Sequence, residues 1–331
     1  MRQLVIWIAG VAMLLLLFVV DVVTGSVSIP LASIVEAMTE GNDSLYHTII
    51  FDIRLPKALT AICVGSALSL SGLWMQTLFR NPLVGPYVLG ISSGATLGVS
   101  LYLFVFSLLG ISSVFVSSWG MALSAMVGAA SLFLIVLLVS FRLPNSVSLL
   151  IAGVMLGSVA TAIVSLLQHI SDPDSVKLFV NWTLGSLSGV TWDKLWVMIP
   201  LVAFGWLMTP ILCKPLDAML LGDDYAWTVG VKVKMVRFLT ILSATVLTGA
   251  TTAFTGPIGF VGIAVPHLVR GLLKSSSHRL LAPACMMCGA SLMLLCDVLS
   301  QLPNNGYVLP MNALTALIGA PVVLWIIIRN R

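Results

Sequence analysis

Ten long stretches of mostly apolar residues follow one another along the chain, separated by shorter polar stretches. An α-helix needs about 20 apolar residues to cross the roughly 30 Å hydrocarbon layer of a bilayer. The stretches show no period-two alternation of apolar and polar positions, so the pattern excludes a membrane β-barrel. The pattern predicts helices at approximately residues 4–23, 58–78, 87–109, 119–141, 149–168, 195–212, 236–254, 258–273, 280–299 and 311–328.

The predicted fold is therefore all-α, a polytopic membrane protein with ten transmembrane helices. Backbone N–H and C=O groups find no water in the bilayer core and must pair within each segment, as they do in a helix. The first stretch is long and no small-residue cleavage site stands out after it, so we interpret it as a retained helix. No linker interrupts the series, and residues 1–331 are predicted to form a single transmembrane domain.

Composition and charge agree with lipid as the solvent for most of the chain. The 331 residues are 59% hydrophobic and 8% charged, with a mean hydropathy of +1.10, which leaves too little polar surface for a soluble fold. With ten spans, twelve of the 16 Lys and Arg residues fall on the side of both termini and four on the other. Because cytoplasmic loops carry an excess of Lys and Arg, both termini are predicted to lie on the cytoplasmic side of the membrane. The net charge of +4 follows from this topology, and no nucleic-acid partner is predicted.

Three segments outside the predicted spans are long enough to have a function. Residues 24–54 and 171–194 are predicted on the periplasmic side, and residues 29–38 have the apolar spacing of a short interfacial helix. Residues 213–235 form the largest predicted cytoplasmic segment. Within the spans, glycines repeat at every fourth position in 90–98 and 153–157, which predicts close helix contacts.

No motif in the chain supplies energy for transport. The phosphate-binding pattern G-x4-G-K-[ST] is absent from the sequence. A secondary transporter usually carries ionisable residues in mid-membrane, whereas Asp297, His267 and Gln76 lie near predicted helix ends. The sequence therefore favours a transporter driven by a partner. An ion-gradient-driven secondary transporter acting without an ATPase stays open as an alternative.

A metal site and an enzymatic function are both disfavoured. Cys285 and Cys288 form a Cys-x-x-Cys pair on an apolar stretch with no second pair nearby, so we interpret them as small apolar residues. An integral membrane enzyme would need clustered nucleophiles or metal ligands at one depth. The four histidines are scattered along the chain.

Several motifs of the chain occur together, in the same order, in one family of membrane proteins. The match runs from about Arg54 to Pro321, and its most specific part is Gly256-Pro-Ile-Gly-Phe-Val-Gly262 followed by Pro266-His267. With these motifs the sequence resembles the FecCD family of ABC permeases, the transmembrane subunits that import iron-siderophore, haem and cobalamin. Further matching motifs are Arg54-Leu-Pro-Lys57, Arg80-Asn-Pro-Leu83, Leu221-Gly222 and Gly319-Ala-Pro321.

The resemblance implies a type II ABC importer permease fold, in which ten-helix subunits form a homodimer with the substrate path on the twofold axis. It also implies a location in the bacterial plasma (inner) membrane, with two cytoplasmic ATPase subunits and an extracytoplasmic substrate-binding protein as partners. ATP and Mg would bind to the ATPase subunits, so this chain is expected to bind no cofactor and to catalyse no reaction itself. The cargo stays open among iron-siderophore, haem and cobalamin, with iron-siderophore first because it is the commonest in the family.

The resemblance further implies roles for individual residues. Arg54 and Lys57 match basic residues that meet acidic residues of the binding protein, and Gln301 stands where the family has a third basic residue. Asn312 stands where the family has glycine. The loop that docks in a cleft of the ATPase matches Leu221, Gly222, Asp223, Asp224, Ala226 and Gly230, with an ordinary solvated loop as the alternative interpretation. The translocation path and inner gate match Asn81, Leu83, Asn145, Ser146, Pro266 and Pro310.

Overall fold

The computed structural model describes residues 2–25, 45–108, 117–140, 142–143, 146–302 and 308–329, and within these ranges it contains helices and no β-strand. A π-helical turn (Thr48–Arg54) leads directly into the second helix, and a 3₁₀ turn (Pro86–Leu89) precedes the third. The α-helices of six or more residues in the described ranges are α1 (Arg2–Val23), α2 (Leu55–Leu78), α3 (Ile91–Leu108), α4 (Ser118–Ser140), α5 (Ser146–His169), α6 (Pro173–Thr183), α7 (Trp192–Met219), α8 (Asp223–Thr228), α9 (Val233–Thr255), α10 (Val261–Leu273), α11 (His278–Ser300) and α12 (Met311–Arg329).

The all-α prediction is confirmed, and each predicted apolar stretch corresponds to helical structure in the described residues, except at residue 90 and residues 258–260, which are not helical. Within the described ranges, seven helical segments are long and apolar enough to cross a membrane. Three further apolar helices are shorter, at Ile91–Val105, Val261–Leu273 and Met311–Leu324. α3 begins directly after Gly90, whose φ is 77°, and α10 begins directly after Phe260, whose φ is 65°.

Helices extend into two of the predicted polar segments. α7 continues to Met219, into the segment predicted to begin at 213. Its last turns stay helical because Leu212 and Leu216 are buried against the core, although Pro215 lies among them. Residues 45–54 of the predicted segment 24–54 are helical and continuous with α2. The predicted helix at 29–38 lies outside the described residues.

Helix α2 is the centre of the fold. Nearly every residue from Pro56 to Leu78 is buried, and the helix packs against α7, α9, α10 and α11. Small residues let the backbones approach, because a Cβ atom on Gly72 would lie only 1.8 Å from the carbonyl oxygen of Gly262 on α10. Hydroxyl groups tie the helices together. Ser69 Oγ donates a hydrogen bond of 2.7 Å to the Cys285 carbonyl on α11, and Ser71 Oγ bonds Thr248 on α9 at 2.8 Å.

Helices α3, α4 and α5 form a second tightly packed group. A Cβ atom on Gly98 would lie 2.0 Å from the carbonyl oxygen of Ser124 on α4. Gly90 packs against Gly153 and Gly157 of α5 in the same way. The glycine spacing therefore predicted close helix contacts correctly. α9 joins this group to α2, because it packs against α2, α3 and α4.

The bundle exposes many large apolar side chains on its outer helices. On α1 they recur at the spacing of one helix face, and similar faces occur on α4, α5 and α7. Water would disfavour so large an apolar surface, whereas a bilayer or a second membrane subunit would cover it. The exposed apolar side chains of α1 are Leu4, Val5, Ile8, Val11, Met13, Leu15, Leu16 and Val19.

Candidate functional site

Helix α8 is a six-residue helix that lies between two glycines, and both glycines have a positive φ. Gly222 has a φ of 128° and a ψ of 151°, and Gly230 has a φ of 87°. A Cβ atom at either position would meet no atom within 4 Å, so space does not require glycine there. The backbone conformation does, because residues with a Cβ are strained in this region. We call the end of the bundle that carries α8 the α8 end, and the other the opposite end.

The α8 segment presents apolar side chains to its surroundings. Leu221 and Trp227 are 69% and 74% exposed, and Tyr225 and Val229 are also exposed. Ala226 points inward and is fully buried, while its carbonyl accepts a hydrogen bond from the Val231 N–H at 2.9 Å. Several large apolar side chains exposed on one short segment between two long helices are typical of a protein interaction site.

The two aspartates at the start of α8 have different surroundings. Asp223 accepts hydrogen bonds from Arg80 Nη2 at 2.5 Å and Arg237 Nη2 at 3.2 Å. Asp224 is exposed. Beside them lies a cleft of about 640 Å³ whose walls include the basic side chains of Arg142, Lys232, Lys234 and Arg237. Asp223 is therefore occupied by contacts within the chain, whereas Asp224 faces outward.

The residues predicted to form the translocation path and gate lie in different parts of the structure. Asn81 Oδ1 accepts a hydrogen bond from the Leu83 N–H at 3.0 Å, and Leu83 is half exposed. Pro266 is buried in α10, and the neighbouring His267 Nε2 contacts the Pro82 carbonyl at 2.9 Å. The structure thus brings segment 81–83 and α10 together. Ser146 begins α5, and Asn145 lies outside the described residues.

Pro310 belongs to a different set of contacts, at the start of α12. The N–H groups that follow it bond to the carbonyls of Leu184 and Gly185. Asn312, where the family pattern has glycine, accepts a hydrogen bond of 3.1 Å from the Gly259 N–H. This side chain therefore connects the start of α12 to the turn that precedes α10.

The predicted docking residues Arg54, Lys57 and Gln301 lie at the opposite end and have partners within the chain. Arg54 is 7% exposed, and its Nη1 donates to the carbonyls of Val22 and Val23 at 3.0 and 2.6 Å. Lys57 is 8% exposed and pairs with Asp297 Oδ2 at 2.8 Å, and Gln301 Nε2 donates to the same oxygen at 3.1 Å. In this arrangement the two cations hold α1, α2 and α11 together and present little charge at the surface.

A chain of polar side chains at the α8 end was missed by the sequence analysis. Asp217 of α7 accepts a hydrogen bond of 2.5 Å from Nδ1 of His278, which is buried at the start of α11. His278 Nε2 lies 2.7 Å from Thr77 Oγ1 on α2. In addition, Arg270 of α10 donates to Gln76 Oε1. The last turn of α2 is therefore bound to α7, α10 and α11.

These features define a class of protein, a multi-pass helical membrane protein with a short protruding helix between two of its spans. Residues 13–329 match the model of the FecCD transport family, and the chain belongs to that family. It is 35% identical over 332 residues to the vitamin B12 import system permease protein BtuC of Klebsiella pneumoniae subsp. pneumoniae, covering 98% of this chain and 94% of that protein.

Two further relatives support the same assignment. The chain is 37% identical over 295 residues to the hemin transport system permease protein HmuU of Yersinia pestis, covering 88% of this chain and 86% of that protein. It is also similar to a solved structure described as an inward-facing conformation of a metal-chelate type ABC transporter. That similarity has a TM-score of 0.85 and 31% identity, and it covers 97% of this chain and 98% of the other.

Proposed function

We propose that this chain is the permease subunit of an ABC importer that carries a metal chelate or cobalamin into the cytoplasm, as a homodimer with two ATPase subunits. The observation that carries the proposal is α8, with its exposed apolar side chains between two conformationally demanding glycines. In a chain of this family, a short helix with exposed apolar side chains supports docking of a separate ATPase subunit. ATP and Mg would be bound by that ATPase subunit, and this chain would hold no cofactor.

The proposal includes a topology with ten spans and both termini in the cytoplasm. The seven long apolar helices would cross the bilayer together with the three shorter ones, which pack against longer neighbours. The distribution of Lys and Arg supports this orientation, with α8 on the cytoplasmic side of a plasma membrane. The opposite end would then face the extracytoplasmic binding protein.

For the cargo we propose iron-siderophore, haem or cobalamin. The named cargoes of the two permease relatives, vitamin B12 and hemin, fall in this set. A groove of about 550 Å³ between α3 and α5 supports a route for a bulky solute, because small and hydroxyl side chains line it. They include Gly90, Ser93, Gly153, Gly157 and Thr161.

We further propose that segment 81–83, with Asn145 and Ser146, closes the inner gate, and that Pro266 and Pro310 border the path. At the opposite end, Arg54, Lys57 and Gln301 would contribute to docking of the binding protein. Since Lys57 is paired with Asp297, that ion pair would have to open before Lys57 could meet an acidic residue of a partner. Charge pairs of this kind fix the register of docking more than they add affinity.

The test replaces each α8 glycine with valine in the complete complex reconstituted in proteoliposomes. Valine at the φ of Gly222 or Gly230 would introduce strain of about 1–3 kcal/mol and displace α8. We expect ATP-driven uptake of the chelate to be lost. Gly271→Val is the matched control, because Gly271 also has open space for a Cβ but no positive φ. Full uptake by Gly222→Val and Gly230→Val would contradict the proposal.

A further inference from the structure

Arg80 has an unusual conformation and reaches from the end of α2 into the α8 segment. Its φ is 46°, a left-handed value that residues other than glycine, asparagine and aspartate rarely adopt. Its Nε donates to the carbonyl of Met219, the last residue of α7, at 3.1 Å. Its Nη2 donates to Asp223, the first residue of α8, at 2.5 Å. One side chain therefore connects α2 with both α7 and α8.

Fold stability gives little reason for this ion pair. The side chains of Arg80 and Asp223 are 44% and 36% exposed, and ion pairs with such exposure contribute little to stability. The left-handed backbone of Arg80 is itself unfavourable for a residue with a Cβ atom. An exposed ion pair on such a residue is better suited to fixing the position of α8 relative to α2 than to stabilising the fold.

The covalent connections of α8 are poorly suited to transmit movement. α8 is joined to α7 through Gly222 and to α9 through Gly230, and both glycines have positive φ with open space around them. A polar connection that avoids both glycines runs through the side chain of Asp223. Arg237 of α9 also holds Asp223, at 3.2 Å, so the carboxylate is fixed from two sides.

The residues that follow Arg80 form a short segment tied to the rest of the bundle. Leu83 N–H bonds to Asn81 Oδ1, which closes a tight turn. The Pro82 carbonyl lies 2.9 Å from His267 Nε2 on α10. Segment 80–83 is thus held by α8 on one side and by α10 on the other. A displacement of Asp223 would pull on Arg80 and, through it, on this segment.

We propose that the Arg80–Asp223 ion pair, supported by Arg237, is the link that carries displacement of α8 to segment 80–83. Arg80 is then a positioning residue for transport. The inference rests on the proposed function, because an ATPase must move α8 for the link to act. Binding of the ATPase itself would depend on the exposed apolar side chains of α8 and not on Arg80.

Charge reversal in the complete complex tests the link. The variants are Arg80→Asp, Asp223→Arg and the double swap, with Arg279→Asp as the control because Arg279 is exposed and has no ion pair among the described residues. Aspartate tolerates the left-handed conformation, so Arg80→Asp does not add backbone strain. The measurements are the amount of ATPase that copurifies and the number of cargo molecules imported per ATP hydrolysed.

We expect each single reversal to retain the ATPase but to lower the import-to-hydrolysis ratio by about fivefold or more. The double swap should raise the ratio above that of both single variants, because it restores the attraction between positions 80 and 223, but the recovery should be partial because Arg237 then repels position 223. If a reversal prevents folding, Arg80→Gln and Asp223→Asn remove the pair more gently and should lower the same ratio. Arg279→Asp should leave the ratio unchanged.

The outcomes separate this inference from the proposed function. A wild-type complex that imports nothing with ATP would overturn the proposed function and the link with it. If the wild type imports while both single variants keep its ratio, the link alone is wrong. The link is also refuted if Arg80→Gln and Asp223→Asn together lower the ratio by the product of their single effects, because the two residues would then act independently.

Discussion

Replacing Gly65 with alanine should force α2 and α11 apart at the centre of the fold. A Cβ atom on Gly65 would lie 2.1 Å from the Gly289 carbonyl oxygen, whereas ordinary contact begins at 3.4 Å. The gap of 1.3 Å between these two values must be made up by moving backbone, since no side chain can rotate away. That movement would also stretch the Ser69 Oγ to Cys285 hydrogen bond, now 2.7 Å, beyond bonding distance.

The expected cost follows from three contributions. Overpacking a rigid contact costs about 1–3 kcal/mol. The lost hydrogen bond costs about 0.5–1.5 kcal/mol, because Ser69 Oγ keeps the Gly65 and Ser66 carbonyls as partners. Alanine in a helix interior returns about 1 kcal/mol relative to glycine. We therefore expect Gly65→Ala to lower the free energy of unfolding by about 0.5–3.5 kcal/mol.

Thermal unfolding of the purified protein in detergent measures this effect. Gly249→Ala is the matched control, because Gly249 is also a buried helix glycine but its nearest neighbour for a Cβ atom is Ala129 at 3.6 Å. Gly65→Ala should lower the unfolding temperature by several degrees, and Gly249→Ala should leave it unchanged or raise it. Equal unfolding temperatures for Gly65→Ala and wild type would refute the packing at this contact.

Two other substitutions test the two ends of the bundle. Lys57→Met leaves Asp297 buried without its cation, and should lower the free energy of unfolding by about 3–5 kcal/mol in the same assay. The exposed Lys177 is the control, and equal stability of Lys57→Met and Lys177→Met would contradict the ion pair. Trp227→Ala should weaken ATPase binding by about 30-fold or more in a titration, if this exposed ring is an anchor worth about 2 kcal/mol. Its unfolding temperature should not change, and unaltered ATPase affinity would count against α8 as the docking element.

The helical framework was predictable because the N–H and C=O groups of each apolar stretch must form hydrogen bonds within that stretch when lipid surrounds it. The glycine spacing predicts close helix contacts, and the structure shows that Gly90 lies against Gly153 and Gly157. The end of α7 was not predictable from hydropathy, since three prolines in it suggest a break and burial of Leu212 and Leu216 is a tertiary property.

The resemblance to the family points to Gly222 and Gly230 as part of the docking loop. In the structure both glycines have a positive φ, a conformation that local sequence favours at glycine. The contacts of the charged residues were harder to predict, because their partners are distant in sequence. The resemblance implies that Lys57 meets an acidic residue of the binding protein, and in the structure Lys57 pairs with Asp297 on α11.

The same distance in sequence hid the polar chain at the α8 end. Asp217 and His278 are 61 positions apart, and Thr77 is 201 positions from His278. No motif spacing joins residues so far apart. The left-handed conformation of Arg80 was hidden as well, because it follows from contacts with α7 and α8 and not from its neighbours in the chain.

The most direct test of the central claim is uptake of the chelate by proteoliposomes that contain this permease, with and without its ATPase. Vesicles that hold both should accumulate cargo when ATP is supplied on the α8 side and the binding protein on the other. Vesicles with the permease alone should accumulate none, even under an imposed ion gradient. Accumulation by the permease alone would contradict the account, because the chain would then be a secondary transporter.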